Sequence, residues 1–311
     1  MTTLNPSPPQ ADLIRRTFRL AQTEPLPMLT LIEGGITNTS YRFRCRGEDY
    51  LLRQPGEDAG GYILRDQEAA SYRAILPLGL CDEVLALEPE TGLKITRFWE
   101  GVRPADPRNP DDVRRCMAAL HRIHDYKARV PHRHDEAHLC RLFEAWMQKP
   151  SVYPAHREVQ QCCLDMVPIL ERYEQQNAVL CHCDTVTANF LFFPHDGREE
   201  MRVIDWEYSG MADPAIDLAM FADDASYTPS ETDALIRCYL GEEPDPEFTL
   251  RVYGNLALTA ITWSNWEEYI RAAGSDYGDY GQKQFRNAGL FSRLFWELLP
   301  RVESEAGHGQ N

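Results

Sequence analysis

His182, Asp184, Asn189 and Asp205 stand close together in the stretch CHCDTVTANFLFF, a short turn-rich insert, and MRVIDWEYSGMADPAIDLA. Their types and spacing suit one kind of chemistry. A hydroxyl that attacks the terminal phosphate of ATP must lose its proton, and a carboxylate such as Asp184 can receive it within hydrogen-bond reach. Magnesium prefers hard oxygen ligands, keeps several waters and needs only one or two protein groups beside the phosphates. Asn189 and Asp205 meet that need.

The elements that must position these groups are legible around them. Asn189 precedes the apolar run Phe190 to Phe193, and Asp205 follows the strand-like run Met201 to Ile204, so two adjacent strands would present both oxygen ligands on one side. Taken alone, an H-x-D is more often a surface turn with a helix-capping aspartate. All four residues in order, followed by DWEYSGMADPAIDLA, resemble the signature of the protein-kinase-like phosphotransferases, the aminoglycoside and choline kinases. That resemblance implies Asp184 as catalytic base with Asn189 and Asp205 as catalytic magnesium ligands. Cys183 stands where the family commonly has Asn or Gly, which leaves its effect on the loop open.

The amino-terminal part reads as the other half of such a site. Leu29–Ile32 and Ser40–Cys45 are strand-like and the turn between them, Glu33, Gly34, Gly35, Ile36, Thr37, Asn38 and Thr39, makes a hairpin whose tip could cover phosphates. A third strand, Tyr50 to Arg53, carries a cation fifteen residues before Glu68, which falls in the helical pattern Asp66–Leu76. In kinases a strand cation of this kind contacts the phosphates and is steered by a helix Glu. GGITNTSY followed by LLRQPGEDAGGYILRDQEAASY resembles the choline and ethanolamine kinases, which use Arg here, and its planar fork suits phosphate oxygens. The plain alternative for Arg53 and Glu68 is a surface ion pair. Leu93–Phe98 reads as the last strand, and Phe98 with Trp99–Gly101 matches the stretch whose backbone grips adenine in kinase-like folds.

A third cluster speaks to the acceptor. Trp263 and Trp266 share a helical face in LALTAITWSNWEEYI, with Tyr277 and Tyr280 following. Two such indoles are most often core; aromatic faces also attract quaternary ammonium groups. The pattern W-x-x-W and then D-Y before Q-x-x-F (Trp263, Trp266, Asp279, Tyr280, Gln282, Phe285) resembles the choline kinases. The resemblance adds Asp224, seven positions after Asp217, as the carboxylate of the cation cage, and Tyr227 as a further member. The family usually has Glu at the position of Asp224.

Composition bounds the reading. The chain of 311 residues has 32 basic and 48 acidic side chains, net −16, and no basic stripe, which argues against a nucleic-acid partner. Nine cysteines without a C-x-x-C pair suit reduced thiols rather than a disulfide scaffold. Cys181 and Cys183 lack a second ligand pair at zinc spacing. No targeting segment and no apolar run long enough to span a bilayer are expected, so the protein is placed in the cytoplasm, without membrane insertion. The first ten residues and Ser304–Asn311 read as disordered ends.

The expectation is therefore an α+β, protein-kinase-like, two-lobed fold. Residues 1–98 would form a small antiparallel-sheet lobe that clamps ATP, and 99–311 a larger, mainly helical lobe, with the hinge near 99–103. Asp111 onward, two helices within 133–178, and Glu231 to Pro300 read as helical, and His121 as structural. The implied reaction is ATP-dependent phosphorylation of choline with magnesium. Ethanolamine, an aminoglycoside or another small acceptor, and a non-catalytic kinase-like binding module remain as alternatives, and a homodimer is left open.

Overall fold

In the computed structural model, which describes residues 2–32, 38–56, 61–272, 274–275 and 277–308, the chain divides into two compact units. The first comprises Met1–Pro104 and Asn189–Tyr208, the second Ala105–Ala188 and Ser209–Asn311. Gly34, Gly35, Ile36 and Thr37 lie outside the described residues.

The first unit is built on an antiparallel sheet. Strands β1 (Thr3–Leu4), β2 (Leu29–Ile32), β3 (Asn38–Cys45), β4 (Glu48–Pro55), β5 (Val84–Leu87) and β6 (Lys94–Arg97) lie in the order β1-β2-β3-β4-β6-β5. Helices α1 (Pro8–Phe18) and α2 (Arg65–Ile75) accompany it. Because side chains alternate along a strand, Phe43, Cys45, Tyr50, Leu52 and Ile95 point to one face and form a core with Leu13 and Ile14 of α1. The same alternation sends Arg53 to the opposite face. Its register partner across β4 and β6 is Lys94, one position from the Leu52–Ile95 pair. The start of the chain is ordered rather than disordered, since Thr3 and Leu4 pair with Thr30 and Leu29 and Pro8 begins α1. Asn38 and Thr39, expected in the turn, are already strand, paired with Pro55 and Gln54.

A short strand β7 (Arg103–Pro104) completes the first stretch of this unit. The expected cut at residue 98 falls inside the unit because β7 pairs with a segment that returns much later in the chain.

In the second unit, α3 (Pro110–Asp125), α4 (Glu136–Trp146), α5 (His156–Leu164) and α6 (Val167–Asn177) precede β8 (Val179–Cys181). Residues 133–178 thus hold three helices where two were expected, with Pro168 in the first turn of α6. A 3-10 turn, Thr187–Asn189, leads into the returning strands β9 (Phe190–His195) and β10 (Arg198–Val203), which pair with each other beside β7. The chain then continues through β11 (Gly210–Ala212), paired with β8, and helices α7 (Ala215–Asp224), α8 (Pro229–Leu240), α9 (Pro246–Ala272) and α10 (Tyr280–His308). Helices resume at Ala215, earlier than expected, and α10 carries Pro300 within it and runs into the tail expected to be disordered. Among the described residues no helix is long and apolar enough to cross a membrane.

Candidate functional site

In the first unit, Arg53 is the centre of a buried charge network. Its Nη1 lies 2.7 Å from Glu68, 3.0 Å from Asp205 and 3.8 Å from Glu207. Its Nη2 also donates to Glu68 at 2.7 Å. Glu68 is reachable because α2 buries Glu68, Tyr72 and Ile75 along one stripe. Arg65, one turn earlier, donates to Glu68 at 3.1 Å and to Glu207 at 2.7 Å, and Asn38 donates to Glu207 at 3.1 Å. Lys94 reaches Tyr72 at 2.6 Å, Asp82 at 3.3 Å and Glu68 at 3.7 Å.

The electrostatics follow from this packing. Burial opposes ionisation of Glu68, yet Arg53, Lys94 and Arg65 outweigh it and hold the carboxyl at about 2. Burial works against the Arg53 charge too, and Glu68, Asp205 and Glu207 more than restore it, raising its pKa. Glu207 is pushed upward by burial first and by Asp205 second, with Arg53 and Arg65 opposing. Arg53 and Glu68 are therefore a buried pair, not the surface pair that the plain alternative supposed.

Asn189 and Asp205 sit at the same end of the β9–β10 hairpin, where Phe190 pairs with Val203 and the Ile204 N–H donates to the Asn189 carbonyl at 2.9 Å. Asp205 has φ 65°, a left-handed conformation that an L-residue adopts at a cost of about 1–2 kcal/mol. Trp206 anchors the turn, fully buried with its Nε1 on the Val203 carbonyl at 3.0 Å. One amide oxygen and one carboxylate are hard donors of the kind magnesium takes, and Asp205 keeps 28% of its side chain exposed.

The Arg53 and Asp205 side chains line a cavity of about 430 Å³ within this unit. Ile32, Leu51, Val102, Leu191 and Ile204 supply apolar wall, with Phe98 and Trp99 beside them. Trp99 stacks on Phe193 at 4.3 Å, and the Arg42 guanidinium lies 4.4 Å over the Phe98 ring. An apolar slot ending in cations and carboxylates has the shape and polarity to take a flat heterocycle at one end and phosphates at the other.

In the second unit, the loop from His182 to Thr187 is laid along α7. The fully buried Asp217 accepts from the His182 N–H at 3.0 Å, from the Cys183 N–H at 2.7 Å and from His124 at 2.9 Å. Burial would raise its pKa, but the His124 hydrogen bond and charge, with His182, lower it. His124 is thus the structural histidine of α3; His121, expected in that role, is half exposed and pairs with Asp125. Cys183 is buried at φ 59°, a left-handed conformation that suits Asn or Gly better than Cys. His124 and Asp217 are hydrogen-bonded to each other, the neighbouring Cys181 thiol donates to the Ala212 carbonyl at 3.4 Å, and burial pushes the Cys181 and Cys183 thiols well up.

Asp184 follows, partly exposed, its N–H 3.2 Å from His182 Nδ1. At the far end of α7, Asp224 accepts from both Thr187 N–H and Oγ1, at 2.8 and 2.7 Å. Its neighbour Asp223 is buried, accepts from Asn287 at 2.7 Å and is raised by burial to about 6.

The expected aromatic group forms on α9 and the start of α10. Trp263 and Trp266 meet edge to face at 5.5 Å, and Trp266 contacts Tyr277 at 5.5 Å and Tyr280 at 6.5 Å. Burial raises the Tyr280 phenol well above its usual range, with Asp223, Asp224 and Asp184 adding to it, so the three carboxylates share its surroundings. Tyr227 stands apart. Its hydroxyl donates to the Pro107 carbonyl at 2.6 Å, and the Arg108 guanidinium already lies 5.3 Å over its ring.

Sequence reading missed Lys94, Arg65, Glu207 and Thr187. Strand parity with Arg53, one-turn spacing from Glu68 and two-residue spacing from Asp205 were the available signals for the first three; nothing local marked Thr187.

The family model described as the phosphotransferase enzyme family matches residues 29–249. Protein LicA of Haemophilus influenzae is 25% identical over 268 residues, 81% of this chain and 76% of that protein. Among solved structures, the choline kinase LicA from Streptococcus pneumoniae superposes with a TM-score of 0.73 at 22% identity, covering 91% of this chain and 98% of the other. A choline/ethanolamine kinase family protein from Mesorhizobium loti gives 0.70 at 26% identity, with 94% and 98% covered. The fold is accordingly protein-kinase-like, as the motifs led one to expect.

Proposed function

Because the chain belongs to the phosphotransferase enzyme family, we propose that it transfers the terminal phosphoryl group of ATP to the hydroxyl of choline, giving phosphocholine and ADP. The first unit supplies the nucleotide half. Its slot takes the base, Phe98 and Trp99 flank it, and Arg53, steered by Glu68, faces the phosphates. Asn189 and Asp205 would hold magnesium, whose charge neutralises that developing on the phosphoryl oxygens.

The second unit supplies the acceptor half. Asp184 receives the hydroxyl proton. Trp263, Trp266 and Tyr280 offer electron-rich faces to a quaternary ammonium and exclude water from it, and Asp224 balances its charge. Tyr227 is left out of this cage. The observation that carries the reading is the company Tyr280 keeps: packed on Trp266 and sharing its surroundings with Asp184, Asp223 and Asp224. Aromatic faces and carboxylates together suit an amino-alcohol. The carboxylates also favour a second reading, ethanolamine, whose primary ammonium donates hydrogen bonds. Either reaction fits a cytoplasmic enzyme.

The test is ADP release by the purified protein with magnesium and ATP, offered choline, ethanolamine or kanamycin in turn. Turnover is expected with choline, reduced by about 10²- to 10⁴-fold in Asp184→Asn, the range for loss of a general base, and retained in Cys183→Ala. Turnover with kanamycin alone, or none with any acceptor, defeats the proposal.

A further inference from the structure

Helix α7 holds the catalytic loop at two points. Asp217 in its first turn takes the backbone of His182 and Cys183. Asp224 in its last turn takes Thr187 through both N–H and hydroxyl. Seven residues apart, the two carboxylates lie on one face of the helix, about two turns or 10.5 Å along its axis. The loop is stretched between them with Asp184 in its middle.

The second fastening depends on two residues that suit each other. The Asp224 carboxylate reaches the Thr187 hydroxyl at 2.7 Å, a short, charge-assisted bond. Only Oδ2 is engaged in these two bonds, and the Lys283 ammonium reaches the main-chain carbonyl of Asp224, not its carboxylate. The carboxylate therefore ties the loop through one oxygen and leaves the other outside these two bonds.

We propose that Thr187 is a positioning residue that sets acceptor length: by fastening the loop to Asp224 it fixes the spacing between the carboxylate that would receive the hydroxyl proton and the one that would balance the ammonium. This rests on the amino-alcohol reading above. With that spacing fixed, an acceptor with two carbons between oxygen and nitrogen is favoured over one with three. Misplacement of a reacting group by about 1 Å is enough for a 10²-fold rate loss.

Thr187→Val keeps the size and the backbone N–H and removes the hydroxyl; Thr187→Ser keeps the hydroxyl. With choline and its three-carbon homologue as acceptors, Thr187→Val is expected to lower kcat by about 10- to 100-fold with a smaller change in KM, and to narrow the preference for choline. Thr187→Ser should stay close to wild type. Unchanged kcat and preference in Thr187→Val, or equal impairment in Thr187→Ser, would overturn the proposal. Amide hydrogen exchange of residues 182–188 without substrate separates it from the functional reading. Faster exchange in Thr187→Val supports the fastening even if wild type turns over neither acceptor, and unchanged exchange overturns it.

Discussion

At the residue scale, the clearest departure from ordinary behaviour is Asp223. Burial with few compensating charges lifts its pKa to about 6, against about 3.9 for a free aspartate. A carboxyl raised on folding contributes stability that is complete below about pH 4 and lost as pH rises through about 6. A rise of that size corresponds to about 3 kcal/mol, at about 1.4 kcal/mol for each pH unit. Urea unfolding of wild type and Asp223→Asn between pH 4 and 8 should show a stability difference that changes across this window and is flat above it; parallel curves throughout would refute the assignment. Individual residues were legible in sequence where a motif fixed their spacing, as with Arg53 and Glu68. They were illegible where tertiary packing alone brings them in: Asp223 looks like any acidic residue at a helix end until Asn287, far along the chain, donates to it.

At the element scale, the short β8–β11 pair carries the loop that begins at His182 and holds Asp184, the proposed base. Gly210 is the register partner of Cys181. A methyl group on Gly210 would stand 2.6 Å from the His134 backbone nitrogen and 2.9 Å from the Arg133 carbonyl carbon, atoms that cannot swing aside. Gly210→Ala is therefore expected to cost about 1–3 kcal/mol through overpacking, and to lower kcat more than it raises KM because β8 runs directly into His182. A thermal midpoint and a kcat indistinguishable from wild type would show that the strand can yield. β3 was readable from alternation and β2 as a short apolar run beside a turn, whereas α7 was not. Every residue from Ala215 to Asp223 is buried, so the helix has no polar stripe to set off an apolar one, and periodicity is the signal that such a helix lacks.

At the scale of the whole molecule, what sequence could not convey was the return of residues 189–208 to the first unit. The pairing of β7 with β9 joins Arg103 to Phe192, a contact that no local pattern announces. Net charge, by contrast, is a property the sequence states outright, and at −16 it makes a prediction about both of the substrates proposed above. The field of the whole chain repels MgATP and attracts a cationic acceptor, and added salt screens both effects because the Debye length falls to about 10 Å at 0.1 M and about 8 Å at 0.15 M. Raising potassium chloride from about 20 to 200 mM, a span over which long-range steering is largely screened, should lower kcat/KM for choline by roughly a few-fold and leave that for MgATP unchanged or higher. The comparison is internal, since any general effect of salt on folding or on the catalytic step would move both constants together. If both fall in parallel, long-range charge plays no part in selecting the proposed acceptor, and any affinity for it would have to come from the aromatic faces and the few carboxylates around Tyr280 alone.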